Sequence, residues 1–172
     1  LYGEILLRQR NLDQAAEEFR RSLDASFNPE VALLYAEALV DGGATQDLLS
    51  LKSGGFFAEV EDEPRFLAAQ ARAEAADGNF FAASDTLDQA EELDASLPAV
   101  RRARALLLAQ HSGDLDAAAE LLEDLVKEKP DDADSWSLYG SVLQAQGSIA
   151  DAEEAYARAG NLNPYRLPDR LT

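Results

Sequence analysis

The chain is 172 residues long, enough for one domain with a sizeable core, and carries a formal charge of −18 with no cysteine and no methionine. That charge argues against nucleic acid or an anionic membrane surface as a partner, because both are gripped by Lys and Arg. Absent cysteine excludes disulfides, thiolate metal sites and a cysteine nucleophile at once.

Ala, Leu and Glu dominate, residues that favour helix. No apolar run approaches the roughly 20 residues needed to span a bilayer, so a soluble segment is expected, with the compartment left open. No signal peptide is expected at Leu1, since a charged start and a small-residue cleavage site are both missing, and without a first methionine the chain is expected to begin inside a longer protein.

In chain order, the first unit runs from Leu1 to about Phe27 and is expected to lack the beginning of its first helix. The second unit, Pro29 to about Glu63, opens on a helix over Glu30–Asp41 whose apolar face is Leu33, Leu34, Ala38 and Leu39. Its second helix should start at Thr45, but Ser53-Gly54-Gly55 interrupts it after about two turns. Phe56-Phe57 follows as either a core plug or an exposed anchor, and then comes an acidic stretch, Glu59 to Glu63, read as a solvated linker. Unit three spans Pro64 to Leu97, unit four Pro98 to Asp132, and unit five Ala133 to about Pro164, with a tail from Tyr165 to Thr172. Pro29, Pro64 and Pro98 each suit the first turn of a helix, where a missing N–H costs nothing.

These units repeat one another. The last carries Trp136, Tyr139, Gly140, Leu143, Gly147, Ala152, Tyr156, Ala159 and Pro164. One period earlier, Gly147 falls on Gly113, Ala152 on Ala118, Tyr156 on Leu122 and Pro164 on Pro130. A further step, with one residue inserted, reaches Gly78, Ala83, Leu87 and Ala90, and near the start Tyr2-Gly3, Leu6, Ala15 and Phe19 stand in the same order. Gly140 and Ala152 are small where two helices approach, while Trp136 and Tyr156 fill the adjoining hollow. Gly147 sits where a positive φ would end the first helix.

This pattern, with its period of roughly 34 residues, resembles the tetratricopeptide repeat family over nearly the whole chain. The resemblance implies an all-α fold, a right-handed α-solenoid of about five helix-turn-helix repeats in one domain. It implies burial of Trp136, Tyr139, Leu143 and Tyr156, so that Trp136→Ala should cost about 3–5 kcal/mol. It also implies a protein-interaction module that takes a peptide or partner subunit in its concave groove, without cofactor or metal. The chain would then act as a scaffold or assembly factor. The alternative is a non-catalytic positioning domain of a larger enzyme or of a secretion or envelope machine.

By that register, the first helices line the groove. Glu37, Val40 and Asp41 come from unit two, Arg65, Ala68 and Arg72 from unit three, and Ser137, Ser141 and Gln144 from unit five. Arg65 and Arg72 lie two turns apart on one face, and Ala68 and Ala75 between them leave room for a ligand. Internal salt bridges are an equal reading of the two arginines. Family members that grip chaperone C-terminal carboxylates use groove Lys, Asn and Arg residues. The corresponding places here hold Leu33, Glu37, Ala68 and Arg72, so that clamp is not expected.

No nucleophile–base pair or phosphate loop is present, and no catalytic residue is assigned. His111, the single histidine, stands at the end of a first helix, where a cation is favoured, and is read as structural or incidental rather than catalytic. Asp114-Leu115-Asp116 and Asp131-Asp132-Ala133-Asp134 lack the glycine and terminal glutamate of a calcium loop, so their acids are expected to cap helices.

Overall fold

The computed structural model describes residues 2–165, which form ten α-helices and no strand. They pair as hairpins: α1 (Tyr2–Arg8) with α2 (Leu12–Ala25), α3 (Pro29–Asp41) with α4 (Thr45–Ser53), and α5 (Pro64–Ala76) with α6 (Phe80–Asp94). After these come α7 (Pro98–Leu107), extended by a π-helical turn over Leu108–Ser112, α8 (Leu115–Glu128), α9 (Ala133–Ala145) and α10 (Ile149–Leu162). The expected tail lies outside the described residues beyond Tyr165. The chain divides into two compact units, Leu1–Ala103 and Arg104–Thr172.

The entries of α3, α6, α8 and α9 are closed by short polar side chains that accept hydrogen bonds from otherwise unpaired N–H groups. Asn28 accepts from the Val31 amide at 3.1 Å, Asn79 from Ala82 at 3.3 Å and Asp114 from Ala117 at 3.0 Å. Asp132 accepts from the amides of Asp134 and Ser135 at 3.1 and 3.3 Å. An acid in each suspected calcium loop is thus occupied by capping. Pro29 and Pro64 stand in the first turns of α3 and α5.

The turn between the two helices of hairpins two to five is left-handed at a glycine. Gly43, Gly78, Gly113 and Gly147 have φ of 79°, 81°, 64° and 85°, and each lies two residues before its second helix. Nothing crowds the space a Cβ would take at any of them, so backbone conformation alone selects glycine. The first hairpin breaks the rule, with Arg10 at φ 58° in the same place. A non-glycine residue there costs on the order of 1 kcal/mol.

Close approach of the two helices is set by one pair of residues. A Cβ built on Gly140 would lie 2.8 Å from the Cδ1 and Cε1 atoms of Tyr156, and one on Gly3 would lie 2.6 Å from Cε1 of Phe19. Glycine therefore stands opposite an aromatic ring 16 residues later in hairpins one and five. At the corresponding places of hairpin three are Ala71 and Leu87, both buried: a larger first-helix residue goes with a smaller second-helix one. In hairpin four the buried pair is Ala105 and Leu122, one residue further apart.

That extra residue is the insertion visible in the sequence. The stretch from Pro98 to Gly113 is one residue longer than that from Pro64 to Gly78. The helix absorbs it by widening its last turn, where the amide of Gly113 donates to the carbonyl of Leu108, five residues back. His111 lies exposed in this turn.

In the first unit, one continuous cluster of buried side chains runs from Leu6 to Ala73. Leu6, Phe19, Leu23, Leu33, Tyr35, Leu39, Leu48, Phe57, Val60 and Phe66 pack together in it. Helix α4 buries only Leu48, and the segment after it supplies what the broken helix lacks. Phe57 is fully buried with its ring 4.9 Å from Phe66 and 6.0 Å from Tyr35, and Val60 is buried in the same cluster. Phe57 is thus the core plug, with half-buried Phe56 edge-on to it at 5.1 Å. Of the second aromatic pair, Phe80 is half-buried and Phe81 exposed.

In the second unit, Ala105, Ala118, Leu122, Leu125 and Val142 form one cluster and Leu143, Ala152 and Ala155 another. Trp136, Tyr139 and Tyr156 pack against the latter but are only half-buried, short of the expected burial. Trp136 donates from Nε1 to the Pro130 carbonyl at 3.0 Å, and the Arg158 guanidinium lies 5.0 Å from its ring centre. Each of the three rings leaves part of its surface in solvent, so the cost of Trp136→Ala falls to about 2 kcal/mol.

Two outcomes test this account. Gly140→Ala should lower stability by about 1–2 kcal/mol in urea unfolding, because the Tyr156 ring is pinned by hydrogen bonds and cannot swing aside. Adding Tyr156→Leu should recover most of the loss, reproducing the Ala–Leu pairing of hairpin three; a stabilising Gly140→Ala would contradict this packing. Separately, amides from Ser53 to Glu63, held by isolated turn hydrogen bonds, should exchange hydrogen faster than those of α8, α9 and α10. Uniform protection would refute the second expectation.

Candidate functional site

The first helices carry the candidate residues, and in the first unit they are tied into a ladder of charge. Arg65 on α5 reaches Glu30 of α3 at 2.8 Å and Glu37 at 3.0 Å, its Nε donating to Glu37 as well. Two turns further on, Arg72 meets Asp41 at 2.7 Å, and the other oxygen of Asp41 lies 3.4 Å from Arg10. Cations of hairpins one and three therefore flank the acids of hairpin two. Arg10 sits in its left-handed conformation at the end of this row, where its side chain reaches across to the next hairpin.

Burial and charge compete at Glu37. Burial pushes its carboxyl above the ordinary range, Arg65 pulls it back through charge and hydrogen bonding, Asp41 raises it and Arg102 lowers it. Burial prevails. For Arg65, burial works against the charge, but Glu30 and Glu37 outweigh it and hold the guanidinium more firmly protonated.

The remaining candidates differ in how much surface they offer. Ala68 is only 1% exposed, so the space expected beside it is filled by the protein itself. Val40 and Ala75 are buried too, and so is Ser137. Glu37, Asp41, Arg65, Arg72 and Ser141 are half-buried and Gln144 is exposed. In the second unit, Ser141 donates to the Ser137 carbonyl at 3.1 Å, and the Tyr156 hydroxyl lies 3.2 Å from Ser141 Oγ and 3.0 Å from Gln144 Oε1. Tyr156 thus joins this group through its polar end while its ring packs on Gly140.

Sequence reasoning missed Glu30, Arg10 and Tyr156 as members of these groups. Glu30 was findable, since it holds the register place in hairpin two that Arg65 holds in hairpin three. A second contact between hairpins also repeats by register. Gln46 of α4 donates to Asp77 after α5, and Gln146 after α9 donates to Asp116 of α8 at 2.7 Å. Donor and acceptor exchange places between the two clasps.

The pH dependence of Glu37→Gln checks the balance at that residue. A carboxyl raised in the folded state binds its proton more readily there than when unfolded. Stability from this group is therefore greatest below the ordinary glutamate range and declines as pH rises through the raised value. Between pH 4 and 7, Glu37→Gln should gain stability relative to the parent as pH increases. A relative loss would mean that attraction to Arg65 outweighs burial.

No curated protein sequence matches the chain significantly. Solved structures do match in fold. The thermophilic TPR protein TTC0263 of Thermus thermophilus aligns with a TM-score of 0.71 at 20% identity, over 95% of this chain and 89% of that one. Two crystal structures of MamA align with a TM-score of 0.51 at 20% identity, one over 94% of each chain and the other over 99% of this chain and 92% of that one. Among described residues, no helix is long and apolar enough to cross a membrane. Tetratricopeptide repeat models match residues 2–47 and 109–166, together more than half of the chain. With the helical hairpins, the left-handed turns and the small-against-large pairing already in place, the chain belongs to the tetratricopeptide repeat family, an all-α solenoid fold whose general role is protein interaction.

Proposed function

We propose that the chain is a non-catalytic scaffold module that binds a peptide or partner subunit along its first helices, and that it selects the partner by charge pattern. The observation that carries this reading is the alternation of sign across neighbouring hairpins: acids Glu30, Glu37 and Asp41 on α3 against Arg65 and Arg72 on α5. Such a surface offers both signs to a ligand within one or two helix widths. It penalises misplaced like charges more than it rewards total burial.

The ladder also sets what a ligand must do. An acidic group that approaches Arg65 or Arg72 has to compete with carboxylates already 2.7 to 3.0 Å away. A ligand carrying a carboxylate toward α5 and a cation toward α3 takes over both halves of a pair at once, leaving no charge orphaned. The expected partner therefore carries both signs in the order that mirrors the ladder. Ser141 and Gln144 on α9 supply neutral polar contacts in the second unit.

The test is a charge exchange. After the wild-type chain has captured its partner from the native source and the partner is identified, its affinity is measured for wild type, Arg72→Gln and the double variant Asp41→Arg/Arg72→Asp. The double variant restores an opposite-sign pair between positions 41 and 72 but sets a cation against Arg10, so binding is compared where circular dichroism shows each variant folded. Binding should nonetheless fall by about tenfold or more, a loss of ~1.4 kcal/mol, in both variants. Equal affinities across the three would place the binding elsewhere and leave the arginines with internal charge balance only.

A further inference from the structure

The second helices present a different surface, and one of them stands apart. Helices α2, α8 and α10 each carry a cation that ties down an acid one turn away: Arg21 with Glu17 at 2.6 Å, Lys127 with Glu123 at 2.8 Å and Arg158 with Glu154 at 3.2 Å. Helix α4 carries Lys52. Helix α6, over Phe80–Asp94, has no basic residue at all.

Its outer face is ordered. Phe81, Asp85, Asp88 and Glu92 recur at four, three and four residues, which confines them to an arc of roughly 60° and a row roughly 16 Å long. All four are exposed. Phe81 is 79% exposed, more than any other large apolar side chain among the described residues. At the same register place the other second helices have Asp13, Gln46, Asp116 and Ala150, none of them large and apolar. Two of those, Gln46 and Asp116, are engaged in the clasps to the next hairpin, a contact that the hydrocarbon ring of Phe81 cannot make. Asp85 and Glu92 form no ion pair among the described residues.

We propose that this row on α6 is a docking surface for a basic helical segment of a partner protein, an apolar side chain of which covers Phe81 while Lys or Arg at one-turn intervals meets the carboxylates. The occupant follows from charge complementarity. Asp85 and Glu92, with no cation on their own helix, present negative charge that a cationic partner neutralises while it steers its own approach. The exposed ring supplies the apolar anchor that charge alone lacks, since aromatic side chains near the centre of a contact carry much of its energy. A second copy of the chain is disfavoured as occupant by its charge of −18. This surface lies on a second helix and is independent of the reading given for the first helices.

The test uses the full chain and a synthetic helical peptide of about 18 residues, long enough to cover the row at the rise of a helix. It has one leucine followed by arginines at the fourth, seventh and eleventh places after it. A second peptide has the same composition in scrambled order. In fluorescence anisotropy at low salt, the ordered peptide should bind at least about fivefold more tightly than the scrambled one, a margin within reach of one aromatic anchor. Phe81→Ala and Asp85→Asn/Glu92→Gln should each weaken binding by a similar factor, and Asp13→Asn, exposed at the same register place on α2, should leave it unchanged. All substituted side chains on α6 are exposed, so helicity and melting temperature should match the parent. Equal binding of the two peptides would reduce the effect to bulk charge and overturn the proposal. So would undiminished binding by Phe81→Ala, or no measurable binding of the ordered peptide. Sedimentation of the chain alone closes the remaining route: a dimer abolished by Phe81→Ala would assign the face to self-association and overturn the basic partner.

Discussion

The distance between the two helices of a hairpin is the constraint on which the rest depends. Where Gly140 faces Tyr156, or Gly3 faces Phe19, the absence of one methyl group lets a ring lie against the helix backbone. In hairpins three and four, where alanine takes that place, leucine replaces the ring. The sum of the two volumes is roughly held while its division varies, which is what a close-packed interior demands. Within the first unit, the packing of hairpin on hairpin in one cluster sets how far apart the first helices stand. Only at that spacing can Arg65 span Glu30 and Glu37, or Asp41 touch both Arg72 and Arg10. Surface electrostatics in the first unit is therefore a consequence of packing.

Much of this was legible in the residues themselves. The recurrence of Gly78, Gly113 and Gly147 at the turns announced the left-handed conformation, because few other residues adopt it without strain. The break of α4 at Ser53 was readable from the two glycines that follow. Other features depend on neighbours that are distant in sequence. Phe57 could be assigned to the core only once Phe66 and Tyr35 were seen around it. Ala68 was expected to leave open space, but a small side chain opens a gap only if nothing else moves in, and here it is buried. For Trp136 the family pattern implied burial, but packing on every side of the ring is not supplied, and part of it stays in solvent.

The unequal distribution of charge has the same origin. Acids exceed bases about twofold along the chain, so each arginine has a choice of partners. On the second helices α2, α8 and α10 the choice is local, one turn away on the same helix, and such exposed pairs contribute a few tenths of a kcal/mol each. On α3 and α5 the pairs run between hairpins and are largely half-buried, so they report on the stacking of hairpins as the local pairs cannot. Register alone suggested which residues share a face; which of them touch was decided by the reach of the arginine side chain.

The π-helical turn ahead of Gly113 shows how a periodic protein survives a change of length. An added residue in a straight helix rotates everything beyond it by about 100°. Carried through, that would swing the following turn and the whole of α8 away from their contacts. Here the surplus is stored in one widened loop of backbone, and Gly113 and Asp114 resume the phase of the other hairpins. The cost is confined to one turn of weaker hydrogen bonds beside a surface-exposed histidine. Length and phase are thereby uncoupled, so one hairpin can drift in residue count through its history while every neighbour keeps its geometry.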